Sequence, residues 1–388
     1  MTTKNESHNH KNANAEAQSP EFLTPSDFES SSKQRSLLLH NLQHSGWSPI
    51  SMKVSGKTKK WILPPTKDAV FQVMQEQDPN ANKNEISRYT YRTAESGGGN
   101  FVEPKESVEL KRSDVVISES SSPPPPPPPS SLVDEWCWAM SEIAQSVTHL
   151  LELPTNTLLA KEEEGEARNK GNCLDLLRVF SYHATPDGPQ LGSSPHTDWG
   201  SWTIVWQDDV GGLETYSREH QQWEPVPTTT TARERTAFET ANDKCNTEAV
   251  WHCIVHVGDM ASLALQHNSP AGRSTGTGTR YHWPSPEHRV QTSTAQKRAS
   301  LVYFGYPPAN TSIHAIRQRL KDWKPSCRGS PLPLAEYYLL QNQSLSATTA
   351  EDGNATKERP LLEYYEKLEK LSIREVIQEK WNQVQRSE

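Results

Sequence analysis

SSPHTDWGSWTIVWQDDVGGLET, residues 193–215, decides the fold. Behind His196 and Asp198, Trp202, Ile204 and Trp206 alternate with Thr203, Val205 and Gln207, the period of two that marks a strand. In extended backbone residues i and i+2 point to the same side, so an imidazole and a carboxylate project together at the head of that strand. Further along, EHRVQTSTAQKRASLVYFGYPP (287–308) supplies His288 and then Arg298 and Ser300, again two apart at the head of an apolar run from Leu301 to Phe304. Two histidines and one carboxylate on one face of an octahedral metal leave three positions open, the arrangement used for non-haem Fe(II) and O2 chemistry. A bare His-x-Asp arises often by chance. Its combination with a distal histidine and an Arg-x-Ser is far more specific.

His196-x-Asp198, His288 and Arg298-x-Ser300 together resemble the 2-oxoglutarate- and Fe(II)-dependent oxygenases of the isopenicillin N synthase-like group. Gln207-Asp208, Gly211-Gly212-Leu213, Trp223-x-Pro225-Val226 and Val257-Gly258-Asp259 extend the likeness, which runs from about Leu176 to Pro308. The resemblance implies iron held by His196, Asp198 and His288. It also implies 2-oxoglutarate as cosubstrate and O2 as oxidant, with oxidative decarboxylation to succinate and CO2. Arg298 and Ser300 fit the anchor for the far carboxylate of 2-oxoglutarate, since an arginine fork beside a hydroxyl gives bidentate, charge-assisted recognition. Tyr182 aligns with the second tyrosine of the family's Asn-Tyr-Tyr stretch, whose hydroxyl touches the cosubstrate; the asparagine position is Phe180 here. Hydroxylation, desaturation and oxidative ring closure of a small molecule are the outcomes the resemblance allows. Relatives that keep Arg-x-Ser without using 2-oxoglutarate leave a second route open, and a degenerate barrel serving as a proline-rich scaffold is a third. Asp198 argues against halogenation, because halogenating relatives lack the carboxylate.

The alternating strands, Gly/Pro turns and internal site point to a mainly β fold with flanking helices, a double-stranded β-helix or jelly-roll barrel. Of 388 residues only 33% are hydrophobic and 29 are proline, so part of the chain is expected to lie outside any packed core. A net charge of −8 and the lack of a strong Lys/Arg cluster give no footprint for nucleic acid. Five scattered cysteines without a CxxC pair read as reduced thiols, and no apolar run is long enough for a membrane span or a secretory signal, so a cytoplasmic location is expected.

In chain order, residues 1–33 read as a disordered tail and 34–115 as a divergent N-terminal helical region. A Pro-rich linker occupies 116–131, and 132–340 holds a helix followed by the dioxygenase jelly roll. Residues 341–388 read as a C-terminal linker and helix. The seven prolines Pro123 to Pro129 form a polyproline II rod, either a spacer or a docking site for an SH3- or WW-type partner. Trp136, Met140, Ile143, Val147 and Leu150 recur at helical spacing behind a candidate cap at Ser131, a stripe suited to packing against the barrel. Two polar inserts, Thr228–Thr247 and Ser269–Arg280, read as loops, the second a lid or a plain excursion. Ile373, Ile377, Trp381 and Val384 share one face of a final helix. Trp199, Trp202, Trp283 and Phe304 are candidate walls for a substrate mouth. His183, His220, His252, His256, His267 and His282 are read as structural or solvent-facing, and Asp208 and Asp209 as turn formers. With no heptad or sustained apolar edge, a monomer is expected.

Overall fold

The computed structural model describes residues 32–54, 61–77, 90–93, 103–112, 129–160, 172–228, 250–265, 267–268, 283–323, 330–331 and 367–387. The chain opens with helix α1 (Ser32–His44), strand β1 (Trp47–Lys53), helix α2 (Lys67–Gln77) and strands β2 (Thr90–Thr93) and β3 (Lys105–Lys111). The long helix α3 (Pro129–Leu150) leads into β4 (Leu176–Tyr182), β5 (Leu191–His196), β6 (Trp202–Gln207), β7 (Leu213–Ser217), β8 (Gln222–Pro225) and β9 (Val250–Val257). After these come α4 (Asp259–Leu265), β10 (His267–Asn268), β11 (His288–Gln291), β12 (Arg298–Gly305), α5 (Ile313–Leu320), β13 (Ser330–Pro331) and α6 (Ile373–Ser387).

Seven strands form a major sheet in the order β1-β9-β6-β12-β4-β3-β2, and four form a minor sheet in the order β5-β11-β7-β8; β10 pairs with β13. All pairings in the two larger sheets are antiparallel. From β4 to β12 the chain winds between them: β4 major, β5 minor, β6 major, β7 and β8 minor, β9 major, β11 minor, β12 major. That winding is a double-stranded β-helix, the jelly roll expected from the sequence. Phe180, Tyr182, Val205 and Ile254 of the major sheet and Leu213 and Val290 of the minor sheet form one buried cluster, so the two inner faces pack on each other.

Strand parity divides the major sheet into two faces. On β6, Trp202, Ile204 and Trp206 belong to the large core beneath the helices, whereas Val205 belongs to the cluster between the sheets. On β12, Ala299, Leu301 and Tyr303 join the helix side; Val302 packs toward the interior, and Arg298 and Ser300 share its parity. On β9, Trp251, Cys253, Val255 and Val257 face the helices, which leaves Ile254 and His256 to the interior. All six residues of β6 are buried because both its faces are covered.

Helix α3 supplies the outer layer. Trp136, Met140, Ile143 and Val147 are buried in the same core as β6 and β12, and each such side chain stabilises the fold by about 1.5–3 kcal/mol. Thr148 Oγ1 accepts a 3.1 Å hydrogen bond from Trp202 Nε1, tying the helix to the central strand. The helix opens at Pro129, earlier than a Ser131 cap would give; proline is tolerated in a first turn because its missing N–H has no helical partner there.

Residues 34–115, read as a helical region, contribute two helices together with three strands that widen the major sheet. Trp202 and Trp283 are buried in the helix-side core and do not line a mouth, whereas Trp199 and Phe304 are half-buried. The final helix begins with a capping box: Glu375 N donates to Ser372 Oγ at 3.3 Å while Ser372 N donates to Glu375 Oε2 at 2.8 Å. Its Ile373 and Val376 are buried, with Ile377 packed beside them. Nearly all of the tail 1–33, the Pro-rich rod apart from Pro129, the inserts 228–247 (apart from Thr228) and 269–280, and His282 lie outside the described residues. Among the described residues no helix is long and apolar enough to cross a membrane. Cys137 and Cys253 are free thiols.

Candidate metal centre

The register of the minor sheet brings the two halves of the site together. His196 ends β5 and His288 begins β11, and the two are direct Cα partners, so residues far apart in sequence face each other across one ladder. Their rings lie 4.3 Å apart between centroids. Asp198 follows in the loop before β6, with Oδ1 at 3.8 Å from His196 Nε2 and Oδ2 at 3.6 Å from His288 Nε2. One donor atom from each of the three lies within 4.8 Å of the others. That spacing suits donors gathered around one first-row metal ion with bonds of about 2.0–2.2 Å.

Each imidazole is oriented by its other nitrogen. His196 Nδ1 bonds the Ser194 carbonyl at 2.7 Å, and His288 Nδ1 bonds the Pro286 carbonyl at 3.0 Å. A carbonyl only accepts, so both Nδ1 atoms carry the proton and both Nε2 lone pairs are left for a metal. Burial, reinforced by neighbouring His288, lowers the His196 pKa to about 4, even though 42% of its side chain still opens onto solvent. Burial also lowers His288, against the opposing pull of Asp198. For Asp198 burial works the other way, but His288, then His256 and His196, outweigh it and hold the carboxyl well below the usual range. Near neutral pH the site therefore presents two neutral imidazoles and one carboxylate, the protonation state a metal requires.

The loop carrying Asp198 is latched by the Val257-Gly258-Asp259 turn. Asp259 N donates to the Asp198 carbonyl at 2.7 Å, Gly258 N to Ser201 O at 2.8 Å and Met260 N to Gly200 O at 3.0 Å. A Cβ at Gly258 would sit 2.1 Å from Gly200 O, so only glycine permits this approach. Lys380 of α6 reaches the same loop from outside, pairing with Asp259 Oδ2 at 3.0 Å and lying 5.2 Å above the Trp199 ring.

Arg298, at the start of β12, is 1% exposed. Its Nε donates to Gly211 O at 2.6 Å and its Nη2 to Gln207 Oε1 at 3.0 Å, while its guanidinium stacks 4.7 Å from the Tyr182 ring. Nη1 is buried with no partner. A locked, buried guanidinium with one unsatisfied donor fits an anionic ligand group, because an unpaired buried charge is costly. Tyr182 and Arg298 are Cα partners across β4 and β12, and Ser300 shares the interior parity of β12. Of the six residues singled out in the sequence, His196, Asp198 and His288 thus form a three-donor cluster, while Tyr182, Arg298 and Ser300 share the interior side of β4 and β12; the donor set fits Fe(II) and a 2-oxo acid.

The structure gives further residues a part in the site. Gln207 and Gly211 hold the arginine, and Asp208 accepts from Ala299 N at 2.8 Å and Val210 N at 3.1 Å, so its turn-forming role also fixes the start of β12. Lys105 pairs with Glu103 at 2.6 Å, both nearly buried, and Glu103 Oε1 accepts from Ser194 N at 2.6 Å beside His196. His256, read as structural, lies with its ring centroid 4.7 Å from that of His288. Its signal is the alternation in WHCIVHV, where His252 and His256 share the parity of Ile254, opposite Trp251, Val255 and Val257.

Residues 173–257 match the family model described as the 2OG-Fe(II) oxygenase superfamily. The 2-oxoglutarate-dependent dioxygenase citB of Monascus ruber is 32% identical over 133 residues, covering 33% of this chain and 30% of that protein. Gibberellin 3-beta-dioxygenase 1 of Pisum sativum is 28% identical over 138 residues, covering 35% and 28%. The chain thus spans less than a third of the length of these curated relatives. A full-length Neurospora crassa protein, solved in complex with alpha-KG, superimposes with a TM-score of 0.48 at 17% identity, covering 83% of this chain and 95% of that one. The family match takes in Tyr182, His196 and Asp198 and stops before His288 and Arg298; the β5–β11 pairing sets His288 opposite His196, and the β4–β12 pairing sets Arg298 opposite Tyr182. Over residues 173–257, the chain is similar to the 2OG-Fe(II) oxygenase superfamily.

Proposed function

We propose that the protein is a 2-oxoglutarate- and Fe(II)-dependent dioxygenase acting on a small molecule, with His196, Asp198 and His288 as the iron ligands. Bound iron would supply the O2 chemistry, coupling decarboxylation of 2-oxoglutarate to succinate and CO2 with oxidation of the substrate by hydroxylation, desaturation or ring closure. The chain's own part is to present and orient. His196 and His288 offer Nε2 because their Nδ1 protons are committed to backbone carbonyls. Arg298, held by Gly211 and Gln207, keeps Nη1 for the far carboxylate of the cosubstrate, with Ser300 and Tyr182 beside it. The apolar interior around Phe180, Val205 and Ile254 excludes water, which strengthens that charge pairing. The half-buried Phe304 at the interior parity of β12 and Trp199 in the ligand loop are the candidate substrate walls.

The observation that carries this reading is the pairing of the three-donor cluster with the orphaned Nη1 of Arg298 in one interior. The test is succinate release from 2-oxoglutarate under air with added Fe(II), comparing the parent with the double variant His196→Ala, Asp198→Ala. Iron-dependent release by the parent and none by the variant is expected. Equal release by both, or no iron dependence, overturns the assignment.

A further inference from the structure

His256 is 0% exposed, and neither ring nitrogen has a hydrogen-bond partner. A fully buried imidazole left unpaired on both sides is destabilising and calls for an explanation. Its neighbours supply one. His256 Nδ1 lies 3.9 Å from Asp198 Oδ2, itself buried and unpartnered, and the His256 ring meets His288 edge-on at 4.7 Å between centroids. His256 is separate from the three-donor cluster, which comprises His196, Asp198 and His288. Its strand position is fixed from both sides, by Thr203 of β6 and Trp47 of β1 as Cα partners. The Thr203 hydroxyl is a further buried atom without a partner.

We propose that His256 is a positioning residue for the metal centre: its Nδ1–H donates a hydrogen bond to Asp198 Oδ2 and so fixes the rotation of the ligand carboxylate. The inference rests on the iron-site reading above and names a residue that reading does not use. The present 3.9 Å separation is about 1 Å longer than a hydrogen bond, a gap that a turn of the carboxylate about its Cβ–Cγ bond closes. Partners of this kind are worth about 10–100-fold in metal affinity. A donor at Nδ1 is required, and bulk alone does not serve.

The experiment titrates the full-length apo-protein anaerobically with Co(II), reading the visible ligand-field bands and the dissociation constant, for the parent, His256→Asn and His256→Phe. Thermal unfolding of each apo-protein is measured alongside. Asparagine keeps an N–H near the Nδ1 position, whereas phenylalanine keeps the ring volume without a donor. The expected result is an affinity loss of at least about tenfold and altered Co(II) bands for His256→Phe. His256→Asn stays within about threefold of the parent, and apo-protein melting is unchanged or raised in His256→Phe. Parent-like Co(II) affinity and spectrum in His256→Phe overturn the proposal while leaving the iron site intact. Equal weakening in both variants also overturns it, since packing alone would then explain the residue. A parent that binds no Co(II) overturns both this inference and the iron-site assignment.

Discussion

The two faces of the major sheet are built from the same strands and obey different rules. Toward the helices, Trp202, Ile204, Trp206, Leu301 and Tyr303 close-pack, with Trp202 Nε1 paired to Thr148 and Tyr303 Oη to Asp175 at 2.7 Å. Toward the interior, a short step along the same backbones, Arg298 Nη1, Thr203 Oγ1, Asp198 Oδ2 and both His256 nitrogens are buried without partners. Unsatisfied buried groups each work against folding by about 1–3 kcal/mol. The outer face therefore carries the stability that lets the inner face hold groups in readiness for ligands.

That division can be broken from the outside first. Leu301→Ala deletes a fully buried side chain on the outer parity of β12, next to Ser300 on the inner, and should lower the unfolding free energy by about 2–5 kcal/mol. Metal affinity of the folded protein should not change. Denaturant unfolding paired with Co(II) titration checks this, and a matching loss of affinity would mean the faces are not separable. Gly258→Ala should violate the division, because the new Cβ meets Gly200 O at 2.1 Å in the turn that latches the Asp198 loop. It should cost about 1–3 kcal/mol and weaken metal binding as well; stability loss with normal binding would show that the latch is not what holds Asp198.

Changes on the inner face should have small effects, of the opposite kind. Thr203→Val removes an unpartnered buried hydroxyl at nearly constant shape, and the apo-protein should be unchanged or stabilised, within about 1 kcal/mol. A clear loss of stability would mean the hydroxyl is satisfied in solution. The folded pKa of His196 is about 4 against an ordinary 6.5, so between these values the unfolded chain binds the proton and the folded one does not. Apo-protein melting temperature should therefore fall as pH drops from about 6.5 toward 4 and be insensitive to this group above that window. A rise on acidification would contradict the assigned protonation state.

Much of this is legible in the letters. The period-two alternation around Trp202–Gln207 and Leu301–Phe304 places both strands, and the His196-x-Asp198, His288 and Arg298-x-Ser300 spacings name residues that the β5–β11 and β4–β12 registers bring together. What escapes is what alternation cannot tell: which parity faces the helices. Trp202 follows the ligand loop and so reads as a mouth wall, yet its parity puts it under α3. For the same reason His256 reads like the other histidines, although its strand position points it at Asp198. Residues 34–115 read as helical because β2 and β3 are short, mixed polar segments that pair with each other, and the strand that joins them to the sheet, β4, lies far along the chain.

The most direct test of the site is anaerobic titration of the apo-protein with Fe(II) and 2-oxoglutarate, recording the visible metal-to-ligand charge-transfer band for the parent and for Arg298→Ala. The account predicts the band in the parent. In the variant, half-saturation by 2-oxoglutarate should rise at least about tenfold, from the loss of a charge-assisted contact of about 1.5–3 kcal/mol, while Fe(II) affinity stays the same. No band despite bound iron would contradict 2-oxoglutarate as the cosubstrate, and a parent-like titration in Arg298→Ala would contradict the arginine as its anchor.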